Sequence, residues 1–439
     1  MKTKTRLLAE RGQALILIAI SMVALFAIVG LAVDGSMVFS DRRHAQNAAD
    51  TAAVAGALAK VTGDTGWQTV ALNRAGDNGY NGDLVNSTVE VDNPPVSGIY
   101  SNCSDVHFTC TDYVQVIITS TVKTSIASMF GITQLHNRVE AVASAIGSSI
   151  PSSLNSNGIV ALSPSGCALI TGGNGTLNVS SGGMFSNSDS GCSFRCNGAT
   201  LTANIPSITT VGGYDMNGCA ISTSYTAGSK QLAFPPQYQE LAEPPQCSQT
   251  ADLAANYSVT GTGSNKTATL QPGHYSVLPL SNQWKNMVLN PGVYCIDTTL
   301  SVANSLQMQS GATAGVLLYF KPGGYFTING NTTVNIWGIN ANNDSSLSAY
   351  AGFLMYVAPD YSLSTPPTCK INGGSTSSYQ GTIYAPYCDL QINGNAAYTM
   401  QSQLIGYTVD VSGNPSVILD YNGAPKTTWV IPQQVGLSK

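Results

Sequence analysis

Two acidic residues near the C-terminus, Asp389 and Asp410, stand in similar strings, CDLQINGN and TVDVSGNP. Carboxylates about 5 to 10 Å apart can cleave a glycosidic bond, one acting as general acid and the other as base or nucleophile. Aligning the glycine turns that follow stacks Asp410 with Gln391 and Lys370, and leaves Asp389 one residue off that column. Such a column is a mixed polar ladder, and a catalytic or carbohydrate site would need a bulge to bring Asp389 alongside. The histidines, at 44, 107, 136 and 274, lie beside no Ser or Cys motif, and no nucleophile elbow, zincin helix or phosphate loop occurs. No catalytic, cofactor-binding or metal-ligating residue is expected, so the chain reads as a non-enzyme.

The ten cysteines are even in number and include no CxxC pair. Zinc knuckles need thiolates two to four residues apart, and only CSFRC at residues 192–196 comes near. Disulfides formed in an oxidising compartment are the better account. Charge excludes a further class. Only 9% of residues are charged, against a typical quarter, and the net charge of −5 offers no basic surface for nucleic acid.

Cysteines can pair only where the chain brings them together, and a repeat does so here. Beyond a Ser, Asn and Gly-rich linker at residues 149–158, short alternating strands end at glycine turns: ING at 371–373, ING at 392–394, VSG at 411–413. Gly273, Gly292, Gly311, Gly330, Gly352, Gly373, Gly394 and Gly413 recur every 19 to 22 residues. A period near twenty with two or three strands per repeat suits a parallel β-helix over residues 159–430. About ten to thirteen coils at about 4.8 Å each would give a body roughly 50 to 60 Å long. Residues one coil apart stack within disulfide reach, which pairs Cys369 with Cys388, Cys167 with Cys192, Cys196 with Cys219 and Cys247 with Cys295. Cys103 and Cys110 flank a polar loop and pair locally. Residues 234–247, FPPQYQELAEPPQC, interrupt the repeat and are expected to loop out.

At the other end, residues 14–33 run twenty positions without a charge, enough to cross hydrocarbon. Lys2, Lys4, Arg6 and Arg11 precede them, which places residues 1–12 in the cytoplasm and everything after Asp34 outside, with Arg42 and Arg43 weakening the contrast. A cleaved signal peptide is the competing account, but its apolar core usually spans only about 7 to 15 residues. Past the span the helix turns alanine-rich. Ala45, Ala49, Ala53 and Ala57 form one ridge and Ala48, Ala52 and Gly56 its neighbour. Small ridges allow close helix approach, either to the chain's own domain or to helices of partner subunits. Strands follow at residues 87–92, 113–119 and 137–146, with a short helix at 124–131 between the last two, making a small α+β module over residues 35–148.

RG at residues 11–12, the uncharged span, VDG at 33–35 and QNAADTAAVAGA at 46–57 together resemble the start of TadE/TadG-like proteins of Flp (tight adherence) pilus assembly. The resemblance is close over residues 11–60 and looser to about 148, with Gly12, Asp34, Gln46, Asn47 and Asp50 as the matching motif. It implies a bacterial inner-membrane anchor, single-pass at residues 13–34, with an exported body and pilus or pilus-assembly partners. It departs from processed prepilins, which carry Glu five residues after the glycine where this chain has Leu17. The expected architecture is a transmembrane helix continuing into a pilin-like α+β module, then a right-handed parallel β-helix. Partners would meet the alanine face, and cell-wall or surface glycans could meet the Asn, Ser and Thr ladders, in a structural or adhesive role. A β-helix polysaccharide lyase or glycosidase, or a carbohydrate-binding adhesin, is the alternative.

Overall fold

The computed structural model describes residues 9–104, 109–146, 152–174, 176–198, 202–217, 219–221, 223–236, 240–255, 257–303, 306–310, 314–330, 332–340, 345–373, 376–394, 398–413, 417–420, 427 and 433–438. The expectations for His107, Gly311, residues 1–8 of the tail and residues 149–151 of the linker lie outside them. The chain divides into two compact units, Met1–Ser148 with Gln433–Lys439, and Ser149–Pro432.

The first unit is built on α1 (Ala9–Val61), 53 residues without a proline. Its apolar half carries large side chains on every face, and Leu15, Val23, Phe26 and Leu31 are all exposed. A helix greasy all round and exposed from Ala14 through Val29 has the pattern of a membrane span. After a turn, α2 (Trp67–Asp77) runs back along α1. Three strands then form an antiparallel sheet: β1 (Ser87–Asp92), β2 (Tyr113–Lys123) and β3 (Gln134–Ile146). The expected third strand starts earlier than Asn137, because residues 134–136 continue the ladder to Thr121, Val122 and Lys123. The expected helix between β2 and β3 is a single 3₁₀ turn, Ala127–Phe130, ended by Gly131 at φ +85°. A fourth strand, Gln434–Leu437, pairs antiparallel with β3, Gln434 opposite Ile146. The whole second unit is thus inserted between two paired strands of the first.

The second unit is β-rich, with a 25-stranded sheet whose strands pair in parallel apart from the antiparallel Ser258–Thr260. Short strands alternate inward apolar and outward polar residues, and parallel stacking sets like upon like. Cys369, Leu390, Val409, Leu169 and Phe194 are successive register partners, and each is fully buried. The glycine period is only partly a coil period. Gly373, Gly394 and Gly413 are true partners, but Gly273 faces Tyr294 and Gly292 faces Val316. Between Thr327 and its partner Lys370 the chain adds an excursion containing the 3₁₀ segment Ser345–Tyr350, more than doubling that coil.

The coils also stack out of chain order. The first strand, Asn157–Ala161, lies on one of the last, Tyr398–Gly413, with Ile159 beside Leu404. Leu169–Gly172 and Thr176–Ser181 join the same late coil. From this seam the chain winds away through Gly183–Ser186 and Ser207–Thr210 to Ser224–Thr226. Residues 227–257 then carry it to the other end of the stack, where winding resumes toward the seam. Part of this segment was expected to loop out. It is instead fastened along the coils. Asn187 exchanges hydrogen bonds with the Leu232 backbone, and Phe234 sits among Tyr361, Tyr387 and Tyr407 at 5.2–6.2 Å between centroids. Glu240 accepts from Tyr384 at 2.6 Å, and Cys247 bonds Cys295. The other disulfides are Cys103–Cys110, paired locally in the first unit, and Cys167–Cys192, Cys196–Cys219 and Cys369–Cys388, whose partners lie about one coil apart.

Candidate functional site

The matching motif lies on α1 where it enters the folded unit, and most of it is consumed by internal contacts. Ala45, Ala48, Ala49, Ala52, Ala53 and Ala57 have no exposed surface. They pack on Val114, Val116 and Ile118 of β2, on Val139, Ala141 and Ala143 of β3, and on Ala71 and Ala75 of α2. Methyl-sized side chains let one helix sit close to a sheet and a second helix at once. At Gly56 even a methyl is too much, since an added Cβ would stand 2.9 Å from the Ala71 Cβ. The idea that partner subunits meet this face is therefore corrected: the chain's own sheet and second helix cover it.

The polar motif residues fix the helix to the sheet. Gln46 donates to Asp50 Oδ1 at 2.8 Å and to the Glu140 backbone oxygen on β3 at 3.0 Å. Asp34 is buried at 4% exposure and accepts the backbone N–H groups of Ser125 and Ala127, both at 2.7 Å, and of Ile126 at 3.1 Å. A carboxylate taking three backbone donors holds the turn after β2 against the end of the apolar run. Asn47, by contrast, is exposed. Gly12 lies within α1, below the folded unit.

Sequence reasoning missed Asp41, the residue that ties most elements together. It accepts from the Tyr80 hydroxyl at 3.0 Å, from the Ser120 hydroxyl and from Asn137 Nδ2 at 2.7 Å, joining α1 to β2, β3 and the segment after α2. Burial, with the Asp41 carboxylate beside it, pushes the Tyr80 phenol well above its usual range. The signal was available only as spacing, since Asp41 stands two helical turns after Asp34 on the same side of α1.

In the second unit Asp389 and Asp410 fall on neighbouring coils but are not register partners. Asp389 faces Thr368 and Thr408, and Asp410 faces Gln391 and Ile170. Each is half-buried and accepts from a hydroxyl, Thr408 at 2.7 Å for Asp389 and Ser412 for Asp410, and burial raises both carboxyls. The column Lys370–Gln391–Asp410 exists as expected and continues through Ile170 to Arg195 and Asp215, which form an ion pair at 3.3 Å. Among the described residues no group of three or more His, Cys, Asp or Glu could hold a metal ion.

A long apolar helix, an α+β collar clamped to it and a large parallel-stranded unit define a protein fitted to membrane anchoring through one N-terminal helix. Residues 12–59 match the family described as "Putative Flp pilus-assembly TadE/G-like", which covers the apolar run and the alanine face. No curated protein matches the chain, and neither does any solved structure.

Proposed function

We propose that this chain is a structural protein of the bacterial cell envelope, held in the inner membrane by residues 13–34 and serving Flp pilus assembly. The cytoplasmic tail is residues 1–12, and the body that follows Asp34 is exported. The observation that carries this is the coincidence of two features on one helix within the TadE/G-like match: an apolar half exposed over residues 14–29 and an alanine-rich half locked into its own fold. Five disulfides and a nearly uncharged second unit support an extracytoplasmic, oxidising location. We read the parallel stack as a right-handed β-helix, since crossovers between parallel strands take that hand in nearly all sheets. The work is mechanical: the helix fixes the chain in the bilayer, the collar stiffens its exit, and the stack presents an inert surface to pilus components.

Protease treatment of spheroplasts carrying the full chain tests this. The second unit should be digested while cytosolic markers survive, and a fragment holding α1 should resist carbonate extraction. Protection of the second unit, or release of the helix into the wash, defeats the proposal. A photocrosslinker at exposed Asn47 tests the partners, and failure to capture any pilus-assembly protein in native membranes removes that part.

A further inference from the structure

The apolar run of α1 is not bare along its whole length. At Gly30 it is touched by Ile126, so closely that an added Cβ would come within 2.5 Å of the Ile126 Cγ2. Glycine at this position lets the turn after β2 lie directly on the span. One helical turn later Asp34 takes the backbone N–H groups of Ser125, Ile126 and Ala127. These two contacts place the turn at the level of residues 30–34, a stretch that rises about 6 Å. That is comparable to the headgroup layer, about 5 to 8 Å on each side of the hydrocarbon.

What the turn carries suits that depth and does not suit water. Met129 is 83% exposed, Phe130 74% and Ile132 51%. Turns at an aqueous surface favour Gly, Asn, Asp, Ser and Pro. The neighbouring turn repeats the pattern. Asn86 O accepts the Thr121 N–H at 2.8 Å, which brings residues 82–86 to the same end of the sheet, and Leu84 and Val85 there are 81% and 75% exposed. Lys123, exposed at the end of β2, adjoins the first turn, and Asp83, exposed in the second, is engaged by the Val85 and Asn86 backbone N–H groups. Two adjacent turns with apolar tips at the level of the span's end match the boundary between headgroups and acyl chains.

We propose that residues 125–132 form a second membrane contact, an apolar turn seated in the headgroup and upper acyl region beside the span, with Leu84 and Val85 on the same surface. It rests on the membrane-anchored reading above. Two contacts on one rigid unit fix the depth and tilt of α1, which a lone span leaves to its surroundings.

The test uses the full chain in vesicles of phosphatidylethanolamine and phosphatidylglycerol, with lipids brominated near the headgroup or deep in the acyl chain. Leu25→Trp reports on the span, and Phe130→Trp and Met129→Trp report on the turn, each read as added emission over the parent protein. The Leu25→Trp signal should be lost to deep bromines. The turn signals should shift to the blue and be lost to shallow bromines. If Leu25→Trp escapes quenching, the anchoring itself is wrong. If it is quenched while both turn probes emit as in water, only the second contact is overturned. Blue-shifted turn probes that no bromolipid quenches overturn it too, because protein then covers the turn.

Discussion

Asp41 and Asn47 lie six residues apart on one helix, and the structure gives them opposite weights. Asp41→Ala would leave Tyr80, Ser120 and Asn137 without their shared acceptor, a loss of about 2 to 3 kcal/mol for a charged, partly buried hydrogen-bond centre. Asn47→Ala, at an exposed site, should stay within about 0.5 kcal/mol. Chemical denaturation of the two variants checks the contrast, and equal losses would refute it. The sequence singled out Asn47 through its motif and passed over Asp41. A motif marks positions held by family resemblance, whereas the partners of Asp41 come from segments far along the chain that no local pattern joins to it. Acidic residues also set the pH response of the second unit. Burial raises the carboxyl of Glu240, and those of Asp389 and Asp410, above their ordinary values. The folded state then binds these protons more tightly than the unfolded chain, so their contribution to stability rises as pH falls through the raised range and declines as pH climbs through it, while Asp252 and Asp297, held below their ordinary values, act in the opposite sense. Glu240→Gln keeps an acceptor for Tyr384 and removes the buried charge. It should raise the melting temperature at neutral pH and flatten its dependence between neutral and mildly acid conditions; a fall in melting temperature would contradict this.

At the scale of elements, the helix, the three early strands and the short coil strands were legible because each carries its own period, and coil spacing was enough to pair Cys167 with Cys192, Cys196 with Cys219 and Cys369 with Cys388. Two things were not legible. The small-residue ridge announces close packing but not its partner, and its cover is supplied by β2, β3 and α2. The stacking order was hidden because one apolar coil resembles another, so alternation cannot tell which coil lies on which. The seam shows the consequence. Ile159 and Leu404 meet there fully buried, at the start and near the finish of the unit. Leu404→Ala should cost about 2 to 5 kcal/mol. It should also loosen the seam specifically, seen as faster amide exchange in residues 157–161 and 404–406 while Leu270 and Leu289, partners on two neighbouring coils remote from it, keep their protection. Uniform loss of protection would show that the seam is no separate weak point.

For the molecule as a whole, the two units are joined twice. The second begins after Ile146 and returns at Gln434, and those residues are cross-strand neighbours. The ends of a unit inserted this way must lie close together, and the seam supplies that closeness by setting its first coil on its last. The arrangement also imposes a schedule on biogenesis. On the proposed topology, with the N-terminus held inside, Asn157–Ala161 crosses the membrane long before the strand that will cover it, so one edge of the early coils waits unsatisfied through the passage of about 240 residues. The collar waits too, since its fourth strand follows the whole second unit. On that topology export and completion are coupled: until Gln434–Leu437 has crossed, neither unit can close, and a stalled molecule would present the quality-control machinery with two raw strand margins instead of one finished surface.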